Sequence, residues 1–140
     1  MALISMPGFG YYSASKHTLD GLTDALREEV APLGIKVVSI EPGGFRSGIA
    51  GRNLQSPRIG AYAPTVHQIM DFVRVDNEDE YALVDPDRMA EIPIELVKSG
   101  NMPQRLSMGA DSSMGIMAKL DVLRTDYEKW KDVSYSTYFS

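Results

Sequence analysis

The sequence of 140 residues is long enough for one domain, and 44% of the residues are hydrophobic, which is typical of a globular protein. Its 19 acidic and 14 basic side chains give a net charge of −5, which argues against a nucleic-acid partner, because affinity for phosphates comes mainly from lysine and arginine. The lack of cysteine excludes disulfides and thiolate metal sites, and no apolar run approaches the length of a membrane span. A soluble, cytoplasmic protein is therefore expected.

The first predicted helix covers residues 13 to about 33. Ser13 or Ser15 is the expected N-cap, and Pro32 and Gly34 are typical of a helix end. One apolar stripe follows from residues spaced three or four apart, namely Leu19, Leu22, Leu26 and Val30. The side chains off this stripe are charged, and they are Asp20, Asp24, Arg27, Glu28 and Glu29.

A short strand is predicted directly after this helix. Residues 35–40 are apolar and rich in β-branched side chains, which indicates a strand buried on both faces of a parallel sheet. The sequence Glu-Pro-Gly-Gly at 41–44 then predicts an abrupt turn. Helix, short turn, buried strand and turn together are typical of an α/β protein with a doubly wound sheet.

The rest of the chain predicts three more helices and one strand. A helix is expected near residues 65–73, and another over 86–99 with Asp85 as its cap, Pro93 inside it and Gly100 after its end. Residues 104–108 are a strand candidate, and residues 111 to about 130 predict a final amphipathic helix.

The pair Tyr12 and Lys16 carries the chemistry that we expect. Positions i and i+4 of a helix lie on one face, about one turn apart, so the ammonium can sit beside the phenol. A free phenol has a pKa of about 10, and a nearby positive charge favours the phenolate. Such a pair predicts a general acid and base for a carbonyl or alcohol oxygen. The ammonium can also donate hydrogen bonds to ribose hydroxyls.

The same spacing occurs a second time, at Tyr127 and Lys131, so the spacing alone is weak evidence. Context separates the two pairs. Tyr12 follows a Gly/Pro-rich loop and opens a helix that leads into a buried strand and the Pro42–Gly43 turn, whereas Tyr127 ends a charged helix with no strand after it. We therefore interpret Tyr127 and Lys131 as part of a solvent-exposed helix face.

Several motifs in order resemble the short-chain dehydrogenase/reductase family. The run YSASKHTLDGL at 12–22 looks like the family's active-site helix, and LREEVAPLGIKV at 26–37 is similar to its helix end and next strand. The run PGGFRS at 42–47 resembles its Pro-Gly-x-x-x-Thr turn, with Ser47 in place of Thr. The resemblance covers about the first 50 residues, and the remainder resembles the family only loosely.

The resemblance implies the C-terminal portion of a Rossmann-like, doubly wound parallel sheet and an oxidoreductase that uses NAD or NADP. Tyr12 would exchange the proton with a small carbonyl or alcohol substrate, and Lys16 would assist it and hold the nicotinamide ribose. Pro42, Gly43, the Phe45 backbone and the Ser47 hydroxyl would meet the nicotinamide end of the cofactor. Residues 1–47 would then hold the active-site helix, strand and turn, 48–84 the variable substrate region, and 85–140 the closing helices and last strand.

The family's glycine-rich phosphate loop has no match in the sequence. Its catalytic serine lies thirteen residues before the tyrosine, and counting back from Tyr12 passes Met1. We therefore expect a truncated chain, with the missing half encoded upstream. A catalytically inactive fragment or interaction module and an epimerase or lyase relative are the alternatives, and a homo-oligomer is compatible with either.

Two further features carry less weight. His17 and His67 are the only histidines and share no ligand spacing, so no metal site is predicted and a hydrogen-bonded or solvated side chain is expected for each. The apolar side chains between residues 48 and 73 predict either a substrate lid or a simple cover for the core, and they include Ile49, Leu54, Tyr62, Ile69, Met70 and Phe72.

Overall fold

A computed structural model describes residues 3–48, 52, 56–74 and 78–139. Short 3-10 turns at Ala31–Leu33 and Gly60–Tyr62 and a π-helical segment at Ala63–His67 connect the regular elements. In chain order these elements are α1 (Gly10–Val30), β1 (Ser39–Pro42), α2 (Gln68–Phe72), α3 (Glu78–Tyr81), α4 (Pro86–Ser99), β2 (Arg105–Met108) and α5 (Ala110–Tyr135).

Helix α1 begins one turn earlier than the sequence predicted. Its N-cap is Phe9, whose side chain makes no capping bond, and Ser13 lies buried inside the helix. The Ser15 hydroxyl donates to the Tyr12 carbonyl at 2.7 Å, so neither serine is the cap and that prediction was wrong. The predicted stop is confirmed, because Gly34 closes the last turn with a φ of 73°, in the left-handed region that glycine enters without strain.

In a simple amphipathic helix the apolar side is buried and the polar side is exposed, and α1 shows the reverse. The predicted apolar stripe is exposed, with 64% of Leu22 and 57% of Leu19 accessible to solvent. The polar side faces the strands instead, where the Arg27 guanidinium donates to the Val37 carbonyl at 3.1 Å. Ion pairs and hydrogen bonds, and not the leucine stripe, therefore attach α1 to the sheet.

Strands β1 and β2 pair in parallel, with Ser39 opposite Arg105 and Pro42 opposite Met108. The predicted strand over residues 35–40 was shifted, because the ladder begins only at Ser39. The expectation of burial on both faces was also wrong, since Ile40 is 43% exposed while Glu41 is buried. Among the described residues β2 is the only ladder partner of β1, so one edge of β1 carries no neighbouring strand there.

The termini of the two later helices follow the sequence more closely. The Asp85 carboxylate accepts from the Asp87 amide at 2.9 Å, which caps α4, and Gly100 ends it in the left-handed conformation as predicted. Helix α5 runs to Tyr135, five residues beyond the predicted end. Its N-cap is Gly109, which adopts a φ of 113°.

Only five of the described residues are buried. They are Ala82 and Met108 among the apolar residues and Ser13, Glu41 and Ser112 among the polar ones. None of the described helices combines the length and the apolar character that crossing a membrane would require.

Candidate active site

Tyr12 and Lys16 lie together on the first turns of α1, as their spacing predicted. The Lys16 Nζ is 5.4 Å from the centre of the Tyr12 ring, within the range of a cation–π contact. The Phe9 ring meets the Tyr12 ring edge to face at 6.3 Å and supports it from the preceding loop. Since 42% of Tyr12 remains exposed, the phenol is accessible to a ligand.

The packing of α1 places Tyr12 at the carboxyl end of β1. Asp20 is bonded to Arg105, which lies opposite the first residue of β1. Tyr12 is eight residues before Asp20, about 12 Å along the helix axis at 1.5 Å per residue. Gly43 is four residues beyond Ser39, about 13 Å along the strand. Because a short connection returns α1 antiparallel to β1, Tyr12 and the turn after Pro42 lie at the same end of the unit.

Three hydrogen bonds hold the Gly43–Gly44 turn in place. The Gly43 amide donates to the Met108 carbonyl at 2.7 Å, the Gly44 amide donates to Asp111 Oδ2 at 2.8 Å, and the Gly44 carbonyl accepts from the Val84 amide at 2.9 Å. The turn is thereby tied to β2, to the start of α5 and to the segment before α4.

The Phe45 backbone has one edge paired and the other edge turned away from its neighbour. Phe45 forms a parallel bridge with Val84, in which the Gly44 carbonyl points towards Val84. Backbone groups of successive residues in an extended segment point to opposite edges, so the Phe45 amide and carbonyl point away from Val84.

Asp111 is a residue that sequence reasoning did not single out. Its carboxylate lies against Gly43 and Gly44, in a slot where a side chain on Gly43 would collide with Asp111 Oδ1. A Cβ on Gly109 would be 2.6 Å from the same oxygen, so both glycines are needed for this close approach. An aspartate in the first turn of a helix is also common as a partner of the helix dipole, so the sequence carried no signal for this contact.

An ion cluster around Arg105 joins α1 to both strands. Its guanidinium contacts Asp20 at 2.7 Å, Asp24 at 2.7 Å and the buried Glu41 at 2.9 Å. The hydrogen bond from Arg27, joined by one from Arg105, lowers the pKa of Asp24. The hydrogen bond with Asp20 is the main cause that raises the pKa of Arg105. Sequence analysis had treated Asp20, Asp24 and Arg27 as a charged surface off the leucine stripe.

The segment around α2 lies beside the loop that precedes Tyr12. A Cβ on Gly8 would be 3.0 Å from Val66 Cγ1 and 3.1 Å from Met70 Cε, so both apolar side chains rest on this loop. This position suits the predicted substrate region. The predicted lid residues Ile49 and Leu54 lie outside the described residues. Ser47 is half-buried, and its carbonyl accepts from Arg52 at 2.9 Å.

The second tyrosine–lysine pair has different surroundings. Tyr127 is 75% exposed, and Lys131 forms an ion pair with Glu128 at 3.6 Å. The cation–π contact of this helix joins Lys129 and Trp130 instead, at 5.4 Å. The interpretation of Tyr127 and Lys131 as an exposed helix face is confirmed.

The two histidines show no shared site. His17 Nδ1 lies 2.8 Å from the Ser13 carbonyl, a hydrogen-bonded role that the sequence analysis expected. Within the described ranges, no group of three or more His, Cys, Asp or Glu side chains is arranged to hold a metal ion.

Comparison with known proteins gives consistent matches. A family model described as short chain dehydrogenase matches residues 1–57. The oxidoreductase BOA17 of Botryotinia fuckeliana is 30% identical over 135 residues, which are 96% of this chain and 48% of the relative. The NADPH-dependent 3-dehydrocapnine reductase of Ornithobacterium rhinotracheale is 42% identical over 50 residues, 36% of this chain and 18% of that relative.

A solved structure matches nearly the whole chain. A short-chain dehydrogenase from Streptomyces avermitilis superposes with a TM-score of 0.83 and 33% identity, covering 99% of this chain and 49% of that protein. The chain thus spans about half the length of these two larger matches, BOA17 and the solved dehydrogenase. The predicted partial Rossmann-like α/β fold is confirmed.

Proposed function

Since this chain belongs to the short-chain dehydrogenase/reductase family, we propose that it supplies the proton-transferring part of an NAD(P)-dependent oxidoreductase site for a small carbonyl or alcohol substrate. The observation that carries the proposal is the contact between Lys16 and the Tyr12 ring. The inferred place of this pair, at the carboxyl end of β1, supports the proposal, because ligands of open parallel sheets bind at that end of the strands.

Tyr12 acts on the substrate oxygen. In the reducing direction its hydroxyl donates a proton to the carbonyl oxygen, and in the oxidising direction its phenolate removes the proton from the alcohol. The Lys16 ammonium stabilises the phenolate electrostatically. Phe9 contacts the Tyr12 ring edge to face, which limits the directions that the phenol can take.

NAD or NADP, when bound, exchanges a hydride with the substrate carbon. The chain's residues would hold that group: Lys16 would donate to a ribose hydroxyl, and the outward-facing Phe45 amide and carbonyl would pair with the nicotinamide amide. Pro42 and Gly43 shape the turn, and the Ser47 hydroxyl adds a polar contact. One relative is named NADPH-dependent, which makes NADPH the first cofactor to test.

The test uses a complete version of the enzyme with NADPH or NADH and a panel of aldehydes and ketones. We expect consumption of reduced cofactor that depends on both substrate and enzyme. Tyr12→Phe should lower turnover about a hundredfold or more, because it removes only the hydroxyl that transfers the proton, and should leave cofactor affinity unchanged. Tyr127→Phe is the matched control and should behave as wild type. Equal losses in both variants would contradict the assignment.

A non-catalytic interaction module is the second candidate. The exposed stripe of Leu19, Leu22 and Leu26 on α1 favours it, because contiguous apolar surface is typical of protein contacts. A homo-oligomer through this stripe is the simplest form. Sedimentation of wild type and Leu22→Glu, combined with the cofactor assay, separates the two candidates, since a module would assemble without any cofactor-dependent turnover.

A further inference from the structure

The start of α5 is attached to the turn after β1 by two side chains with different partners. The Ser112 hydroxyl donates to the Glu41 carbonyl at 2.8 Å, and both residues are buried. The Asp111 carboxylate accepts a hydrogen bond from the Gly44 amide, which lies beyond the end of β1. Ser112 thus fixes the helix to the strand, while Asp111 fixes the turn that follows the strand.

The Asp111 contact needs an unusual local sequence. Side chains at Gly43 and Gly109 would both collide with the carboxylate, and Gly109 also requires a positive φ. Two glycines, Gly43 and Gly109, therefore flank the carboxylate, and their backbones approach it more closely than a residue with a Cβ would allow in this arrangement. A hydrogen bond from an amide to a charged acceptor is stronger than a neutral one, which suits a contact that must hold a glycine-rich turn rigid.

We infer that Asp111 is a positioning residue: it holds Gly44 so that the next residue, Phe45, presents its backbone to the nicotinamide end of the cofactor. This inference rests on the proposed function. Asp111 acts through the turn and touches neither substrate nor reacting atoms. The Gly44 carbonyl is held by Val84 on the other side, so the peptide units before and after Gly44 are both anchored.

Three variants of the native protein test this role. Asp111→Ala removes the acceptor, Asp111→Asn keeps an acceptor of the same size without the charge, and Asp121→Ala removes an exposed carboxylate from the same helix as a control. The measurements are amide hydrogen exchange at Gly44, the affinity for NADPH by fluorescence titration, kcat and the unfolding midpoint.

In Asp111→Ala we expect Gly44 exchange to accelerate and NADPH affinity to weaken, each by about tenfold, the scale of one charge-assisted hydrogen bond. The value of kcat at saturating cofactor should change much less. Asp111→Asn keeps a weaker, uncharged acceptor, so Gly44 protection and NADPH affinity should each fall by only about threefold, and Asp121→Ala should match wild type.

A purely structural role would lower the unfolding midpoint but leave the affinity of the folded protein unchanged, and that result would overturn the inference. If Asp111→Ala does not fold, the comparison of Asp111→Asn with wild type decides in the same way, since unchanged exchange and affinity would again overturn it. Wild-type protein that neither binds NADPH nor turns over would refute the proposed function and this inference together. Wild-type activity with an unaffected Asp111→Ala would refute the inference alone.

Discussion

The chain contains two helices that carry a tyrosine and a lysine four residues apart, and the surroundings of the two pairs differ. On α1 the Lys16 ammonium lies 5.4 Å from the Tyr12 ring centre, and the same helix is bonded to both strands. On α5, Lys131 pairs with Glu128, and every residue from 124 to 139 is exposed. Identical spacing therefore gives two different chemical environments.

The difference lies in what surrounds each pair and not in the pairs themselves. A helix supplies the proximity of positions i and i+4 wherever it forms, so this spacing recurs by chance. Proximity to a strand end, and a second element that could meet a ligand, depend on tertiary contacts that the spacing does not encode. On α1 these contacts come from polar side chains, with Asp20 as the link to Arg105.

The largest expected effect is the loss of activity in a variant of Lys16, compared with the same substitution at Lys131. Lys16→Met should lower kcat about a hundredfold or more and also weaken cofactor binding, because in its proposed role the ammonium both stabilises the phenolate and donates to the ribose. Lys131→Met is the matched control and should leave both values unchanged. Steady-state kinetics with NADPH give the two numbers. A Lys16→Met enzyme with normal cofactor affinity would remove the ribose contact from the assignment.

The second-largest expected effect is the loss of stability when the contacts of α1 with the strands are removed. Arg105→Ala leaves the buried Glu41 carboxylate without its guanidinium partner. Removing one member of a buried ion pair costs about 3 to 5 kcal/mol, and because 29% of the Arg105 side chain is exposed we expect about 2 to 3 kcal/mol. Arg124→Ala on α5 should change stability by less than about 0.5 kcal/mol. Urea unfolding at equal m-value measures both.

If Arg105→Ala loses no more stability than Arg124→Ala, the leucine side of α1, and not its polar side, attaches the helix to the sheet. In that case Leu22 would have to be covered in solution by a surface outside the described contacts. The Arg105 result therefore also tests whether the exposed stripe is free.

Local signals in the sequence predicted the elements better than their partners. The α4 cap at Asp85 and the stop at Gly34 were predictable, because each depends on side-chain and backbone chemistry within a few residues. The register of β1 was not, since β-branched residues at 35–38 favour a strand while the ladder forms only where β2 lies opposite.

In the candidate site, too, some residues were predictable from the sequence and others were not. Tyr12 and Lys16 were predicted from spacing and context, and the structure brings them together. Asp111 and Arg105 were not, because they act 67 positions away on Gly44 and 85 positions away on Asp20. Nothing in a single sequence connects residues so far apart, and an acidic residue at a helix start or an arginine in a strand has simpler explanations.

The smallest expected effect is a pH dependence of stability that comes from Asp24 on α1 and has no counterpart at Asp126 on α5. The Arg27 hydrogen bond, and that of Arg105 with it, lowers the pKa of Asp24 below its ordinary value of 3.8. A carboxyl whose pKa is lower in the folded state adds stability above its ordinary pKa and loses it as pH falls through the lowered value. Wild type should therefore exceed Asp24→Asn in stability equally at pH 7 and pH 5.5, and the gap should shrink below about pH 4. Urea midpoints across this range measure the gap, with Asp126→Asn on α5 as the control that should follow wild type throughout. A stability difference between wild type and Asp24→Asn that persists unchanged at the lowest pH would mean that the charge of Asp24 does not contribute. Asp20 would then hold Arg105 against α1, and Glu41 would hold it against β1.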